Sequence, residues 1–276
     1  KKRQRGCFHM QPPVPNGRGR IPISGVGGQD GHIPACAAHP RPGGRRPQQL
    51  SMSLGPFVPG CHCQQVPPNG GEVAAVVTQE FFDGIVNHVD GEFPGKRFYT
   101  RSAFLEALTS FPGFGRAGDP DGSKREIAAF FAHVTHETGH LRFVEEICDA
   151  SRRYWDEKRA GEYPCAAGKS YHGRGPLQLT WNYNYGAAGE SIGFDGLGSP
   201  ETVAEDPVVA FKTALWYWME KVHPLLAAGG GFGATIRAIN GGECGGGSPK
   251  AVARRVRFYL EYCQRFGVAP GDNLTC

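Results

Sequence analysis

A mainly α-helical domain is predicted from three features of the sequence. Apolar residues recur at helical spacing in six stretches between Val73 and Phe266. No alternating apolar and polar run longer than four residues offers a convincing strand. The texture also changes near residue 72: what precedes is rich in turn residues and shows no sustained period of 2 or 3.6.

Residues 1–72 are accordingly read as an irregular or disordered segment. Residues 73–276 form one domain, long enough to bury a single core. The stretch 73–89 has apolar residues at helical spacing, with Thr78 as an N-cap. Residues 100–110 form a second amphipathic helix, followed by a Gly/Pro loop over 110–119. The strongest helix spans 123–136: Ser123 caps it, Ile127, Phe130, Phe131 and Val134 make one stripe, and Gly139 offers an exit. Residues 207–221 place Pro207 at the first helical position ahead of an aromatic-rich face. Two further helices are read over 232–240 and 249–266, the last ending at Gly267.

The chain of 276 residues carries 30 Lys and Arg against 26 Asp and Glu, a net charge of +4. Much of that surplus lies at Lys1, Lys2, Arg3, Arg5 and residues 41–46, in Pro/Gly-rich chain. It is not a basic folded face with aromatics to stack bases, so no nucleic-acid partner is expected. No apolar run approaches the roughly 18 residues of a membrane span, so no membrane association is expected. The first residues, KKRQRG, have no apolar core of a signal peptide. Of the nine cysteines none forms a CxxC pair, and no set has the spacing of a structural zinc site. Disulfides, an oxidising compartment and a secreted (extracellular or vacuolar) protein are expected, with at least one thiol left over. Nothing in the sequence signals oligomerisation, and a monomer is expected.

His136-Glu137-Thr138-Gly139-His140 matches the HExxH pattern, which on a helix sets two imidazoles one turn apart around a general base. A zinc site also needs a third ligand. The continuation used by one group of zinc proteases would require glycine where Phe143 stands, and Glu157 lies in what reads as a polar loop, residues 155–159. Gly139 would further cost the helix about 1 kcal/mol. No metal and no cofactor are expected.

The other reading pairs Glu137 with Glu146. Glycoside hydrolysis needs two carboxyl groups flanking the scissile bond, one protonated and one ionised. Nine residues apart, at about 100° each, they would point to opposite sides of a continuous helix. They face one cleft only if the helix ends between them, as Gly139 allows. Glu137 at the end of an apolar helix would be desolvated, which favours the protonated acid, while Glu146 in the next loop would stay ionised. Without further context the two glutamates also fit a solvated acidic helix end. Downstream, residues 170–186 (SYHGRGPLQLTWNYNYG) supply amides for hydroxyl and N-acetyl groups and rings for sugar faces. The same block would also fit a tyrosine-rich turn region under a core.

The runs FFAHVTHETGH, EEI, YHGRGPLQLTWNYNYG, FKTALWYWM, GFGATIRAING and the final NLTC together resemble plant chitinases of glycoside hydrolase family 19. The short loops resemble the class IV subgroup, and the likeness runs from about Val73 to Cys276. The resemblance implies a lysozyme-like, bilobal helical fold with a deep substrate cleft. It implies endo-acting, inverting hydrolysis of β-1,4-linked N-acetylglucosamine polymers, so chitin or its oligosaccharides are the expected partner. Carried over by position, it makes Glu137 the general acid and Glu146 the base. The two carboxyl groups should then lie roughly 6.5–9.5 Å apart. Thr180 stands where a serine usually holds the water, and Arg255 fits the arginine that pairs with the catalytic carboxylates. His136, Gln178, Tyr183, Asn184 and Asn240 fall at substrate-contacting positions, Tyr171 at the cleft wall, and Tyr163 where many relatives have tryptophan.

The chain also departs from that pattern. A cysteine pair that bridges in the family is replaced by Phe93 and Arg142. A second bridge has lost one half to Trp155, leaving Cys165, with Cys148 nearby as a substitute partner. Cys244 and Cys276 match the C-terminal bridge, and Cys263 is expected to be a buried free thiol. The run after Asn240 is one residue short, which leaves the role of Glu243 open. Residues 1–72 hold four cysteines and lack the pattern of a hevein-like chitin-binding module, so no chitin binding is assigned there. These departures keep open an alternative: a chitinase-like protein that holds oligosaccharides without cutting them.

Overall fold

The computed structural model describes residues 70–88, 91–147 and 153–276; all but the last three residues of the segment expected to be irregular lie outside them. The chain is helical, as its periodicity predicts. Among the described residues no strand forms, and β pairing is limited to isolated bridges linking Arg174 to Glu145 and to Leu179. The helices are α1 (Gly70–Val76), α2 (Gln79–Val86), α3 (Pro94–Phe98), α4 (Arg101–Leu108), α5 (Pro120–Thr138) and α6 (Asn182–Ile192). They continue with α7 (Thr202–Glu205), α8 (Pro207–Tyr217), α9 (His223–Ala227), α10 (Gly231–Asn240) and α11 (Pro249–Arg265).

α5 is the central element, and every residue from Glu126 to Thr138 is buried. A helix buried all round must be wrapped by others. Phe130 meets Phe114, Phe131 and Trp218 edge-to-face at 5.1–5.4 Å between ring centroids. Phe104 extends that aromatic core to Phe211 on α8. Such pairs add about 0.5–1.5 kcal/mol each beyond the area they bury.

The structure moves several expected boundaries. α5 is capped by Asp119, whose Oδ1 accepts from the Gly122 amide at 2.6 Å; Ser123 lies inside the helix. Asp119 takes the cap because Pro120 follows it, with φ preset for the first turn and no amide to leave unpaired. Residues 73–89 do not form one helix. Thr78 does cap, accepting from the Phe81 amide, but its extended backbone (φ −67°, ψ 163°) divides the stretch into α1 and α2. Residues 207–221 form α8 and then a π-helical turn, Trp218–Val222. Trp218 and His223 are five residues apart and would diverge on an α-helix. The wider turn brings both to buried Glu126, at 2.9 Å and 2.6 Å.

α11 ends at Arg265, before Gly267 (φ 63°), as read. Cys244 and Cys276 are bonded, and Cys263 is a buried free thiol. Cys165 is also a free thiol, so the substitute bridge considered for it is not made; Cys148 lies outside the described residues. No described helix is long and apolar enough to cross a membrane.

Candidate active site

Glu137 sits in the last turn of α5, almost wholly buried. The helix stops two residues later because Gly139 (φ 60°), His140 (φ 68°) and Leu141 (φ 57°) are left-handed in succession. The Thr138 side chain anchors this reversal: its Oγ1 accepts from the Leu141 amide and donates to the Val134 carbonyl, both at 2.7 Å. Non-glycine residues in that region cost of order 1–3 kcal/mol each, and the surrounding structure must hold them. The reversal removes the zinc reading. His140 leaves the helix, stacking on His88 at 4.1 Å and edge-on to Phe258, so it does not share a helical face with His136.

Arg255, on α11, is fully buried beside Glu137. Its Nη2 donates to Glu137 Oε1 at 2.5 Å and to Glu243 Oε1 at 2.9 Å, and its Nε donates to Glu243 Oε2 at 2.8 Å. Asn240, at the end of α10, donates its Nδ2 to Glu243 Oε1 at 3.0 Å. The His136 ring lies 3.8 Å from Glu243, and burial, then Arg255 and Arg254, push its pKa down to about 2. It is therefore a neutral imidazole at any working pH. The structure thus brings Glu137, Arg255, His136 and Asn240 together. It adds two groups that sequence reasoning left out of the site: Glu243, carried to Arg255 by the short 3-10 turn Gly241–Glu243, and His133, whose Nδ1 lies 3.0 Å from Arg255 Nη1. The helical spacing of His133 and Glu137, four residues apart, was the available signal.

Glu146 belongs to a second group. Its amide donates to the Gly173 carbonyl at 2.9 Å, and Tyr154 donates its hydroxyl to Oε1 at 2.7 Å. Oε2 is buried with no hydrogen-bond partner among the described residues. Gln178 comes to the same place: a Cβ at Gly173 would stand 2.9 Å from Gln178 Oε1 and 3.2 Å from Glu146 Oε2. The neighbour Glu145 points elsewhere, to Arg174 Nε at 3.1 Å and to His172. Its pKa is pulled down to about 2, first by the hydrogen bond with His172 and then by Arg174.

The remaining candidates separate. Thr180 is fully buried and donates its hydroxyl to the Gln178 carbonyl at 2.7 Å, while its own carbonyl accepts from Asn184 Nδ2 at 2.8 Å. It stands as a brace between Gln178 and Asn184. The Tyr183 hydroxyl is buried with no hydrogen-bond partner among the described residues, and the ring lies near-parallel to Trp181 with Arg159 over it. Tyr217, a neighbour of Tyr183, is pushed up to about 12 by burial and then by Glu137. That sequence of neighbours ties the aromatic block to the acidic cluster. Tyr163 packs its ring on the backbone of α6 at Gly186. Tyr171 is not a wall of a cleft: it is fully buried, accepting from the Ala166 amide and donating to the Leu197 carbonyl. Its hydroxyl is consumed by backbone, so it braces the core.

Comparison with known proteins follows the same lines. A family model described as "Chitinase class I" matches residues 76–229 and 225–276. The chain is 58% identical over 224 residues to Endochitinase EP3 of Arabidopsis thaliana, covering 79% of this chain and 81% of that protein. It is 56% identical over 215 residues to Chitinase 6 of Oryza sativa subsp. japonica, covering 78% and 79%. Among solved structures, the Family GH19, Class IV chitinase from Zea mays aligns with TM-score 0.70 and 56% identity, over 73% of this chain and 98% of that one. Chitinase C from Streptomyces griseus aligns with TM-score 0.66 and 38% identity, over 73% and 80%.

Proposed function

The chain belongs to glycoside hydrolase family 19, the chitinases, and we propose that its endochitinase activity runs through Glu137 as general acid and Glu146 as general base. The observation that carries this assignment is one guanidinium shared by two buried carboxyl groups. If both Glu137 and Glu243 were ionised, Arg255 would leave a net negative charge in a buried site, which is costly. A proton on one of them relieves that cost. Glu243 is tied up by Arg255 Nε, Arg255 Nη2 and Asn240 Nδ2, and we assign that proton to Glu137, where an acid must hold it before giving it to the glycosidic oxygen.

Glu146 has the complementary setting. It is half-buried, one oxygen is oriented by Tyr154, and the other has no hydrogen-bond partner among the described residues. An ionised carboxylate with one oxygen fixed and one free can take a proton from water as that water attacks the anomeric carbon from the opposite face. Gln178, Tyr183, Asn184 and Asn240 present amide and phenol groups suited to N-acetylglucosamine, and Thr180 holds Gln178 and Asn184 in place. Chitin or its oligosaccharides are the substrate, met by a monomer outside the cell or in the vacuole. Glu137→Gln and Glu146→Gln should each abolish release of soluble oligosaccharides from chitin, and undiminished release by either would remove that residue from its role.

A further inference from the structure

We propose that His133 is a positioning residue of this active site, fixing the carboxyl of Glu137 through the guanidinium of Arg255. The inference rests on the role given to Glu137. His133 lies one helical turn before Glu137 on α5 and is fully buried. Arginine can only donate, so Arg255 Nη1 fixes His133 Nδ1 as an acceptor at 3.0 Å. The ring proton must then be on Nε2, which donates to Thr235 Oγ1 at 2.8 Å. Thr235 donates in turn to the Phe232 carbonyl at 2.7 Å. Every bond in this series has one possible direction, and the series is anchored on the backbone of α10.

The ring plane is fixed as well. His133 stacks on Phe232 at 5.0 Å and 24°, and Phe232 stacks on Tyr259 at 4.2 Å and 2°. The charged and titratable groups around it are Arg255 on α11, His136 and Glu137 on α5, and Glu243 after α10. Burial, then the Arg255 charge, hold the imidazole well below its ordinary pKa. Neutrality is what the geometry needs, since an imidazolium would set Nδ1–H against Nη1–H. With Nη1 on His133, Nε on Glu243 and Nη2 on both carboxyl groups, every edge of the guanidinium is occupied. Removing the His133 acceptor leaves Nη1 buried and unmatched, and the guanidinium must turn to recover a partner. Nη2 then leaves Glu137.

The test uses the full chain on a soluble chitin hexasaccharide, with kcat, KM and the pH profile of kcat measured for four proteins. His133→Leu, which keeps bulk but no polar atom, should lower kcat on the order of 10–100-fold with KM little changed, as expected for a misplaced catalytic group. Its basic limb, where the acid loses its proton, should move to higher pH, because a loosened Arg255 favours ionised Glu137 less. His133→Gln, whose amide can accept from Arg255 and donate to Thr235, should restore most of kcat and the original limb. A folded His133→Leu with native kcat and profile would overturn the inference, as would a Gln variant no better than Leu. Should His133→Leu fail to fold, Thr235→Val decides, since it removes the hydroxyl that accepts from His133 Nε2 and ties the ring to the Phe232 carbonyl. Lower kcat with a shifted limb upholds the proposal, and native behaviour overturns it. Glu137→Gln is measured alongside. If it stays active, the acid assignment itself is wrong; if it is dead while His133→Leu is native, only the positioning role is.

Discussion

The guanidinium carbon of Arg142 lies 3.8 Å above the centroid of the Phe93 ring. These are the two positions at which the resembling chitinases carry bridged cysteines. The contact closes the same gap without a covalent bond: the Gly95 amide donates to the Arg142 carbonyl at 3.0 Å, and α3 lies so close to the turn after α5 that a Cβ on Gly95 would meet the Leu141 carbonyl oxygen. A partly exposed cation–π pair contributes about 0.5–1 kcal/mol, against about 2–5 kcal/mol for a native disulfide. A double-mutant cycle with Phe93→Leu and Arg142→Met should return a coupling of about 0.5–1 kcal/mol in chemical denaturation. Zero coupling would mean that the ring and the cation merely lie side by side.

Gly173 lies where Glu146 and Gln178 converge. A Cβ would press on Gln178 Oε1, on Glu146 Oε2 and, at 3.3 Å, on Gln178 Cβ; the two oxygens are ends of flexible side chains, so Gly173→Ala displaces the Glu146 carboxyl at modest cost to the fold. We expect kcat to fall on the order of 10–100-fold while the melting temperature stays near that of the native protein. Parallel losses of both would point to backbone damage instead.

Glu145 and Glu146 are adjacent, yet their surroundings assign them different work. Glu145 is held to His172 and Arg174, and its depressed pKa means that it stabilises the fold above its unfolded value of about 4.3. That contribution is lost as pH falls towards about 2. Glu145→Gln should therefore retain chitin hydrolysis, and the stability it loses should be largest near neutrality and vanish in strong acid. A Glu145→Gln variant as inactive as Glu146→Gln would mean that the two roles had been exchanged.

The His223–Glu126 pair gives the opposite pH dependence. Its hydrogen bond with Glu126, first among the causes, raises the pKa of His223 above 6.5. Its stabilisation is fully present below that unfolded value and fades as pH rises through the folded one. The melting-temperature gap between the native protein and His223→Asn should narrow as pH rises above about 6.5; a gap that widens instead would contradict an ion pair at this point.

Much of the frame was legible because particular residues act locally. Thr78 and Gly139 cap and end helices through their own backbone preferences, wherever the rest of the chain goes. α6 was not legible, because Gly186 and Gly189 lower its propensity and no apolar stripe marks it. Both glycines answer to tertiary contacts: a Cβ would meet the Tyr163 ring at the first and the Phe194 carbonyl at the second. The end of α5 between Glu137 and Glu146 was readable from Gly139. The charge balance around Arg255 was not, since it depends on Glu243 and His133 meeting across 110 residues of chain. Tyr171 misled for the same reason: a tyrosine in a sugar-site motif and a tyrosine bonded to the Leu197 carbonyl look alike in one dimension.

Hydrolysis of a chitin hexasaccharide, followed by NMR at the anomeric proton from the first seconds, bears on the Glu137 and Glu146 assignment with the least intervening inference. The native protein should release fresh α-anomer, and Glu137→Gln should release none. Fresh β-anomer would contradict direct attack by a water held at Glu146, and oligosaccharide binding without cleavage by the native protein would contradict the acid–base pair altogether.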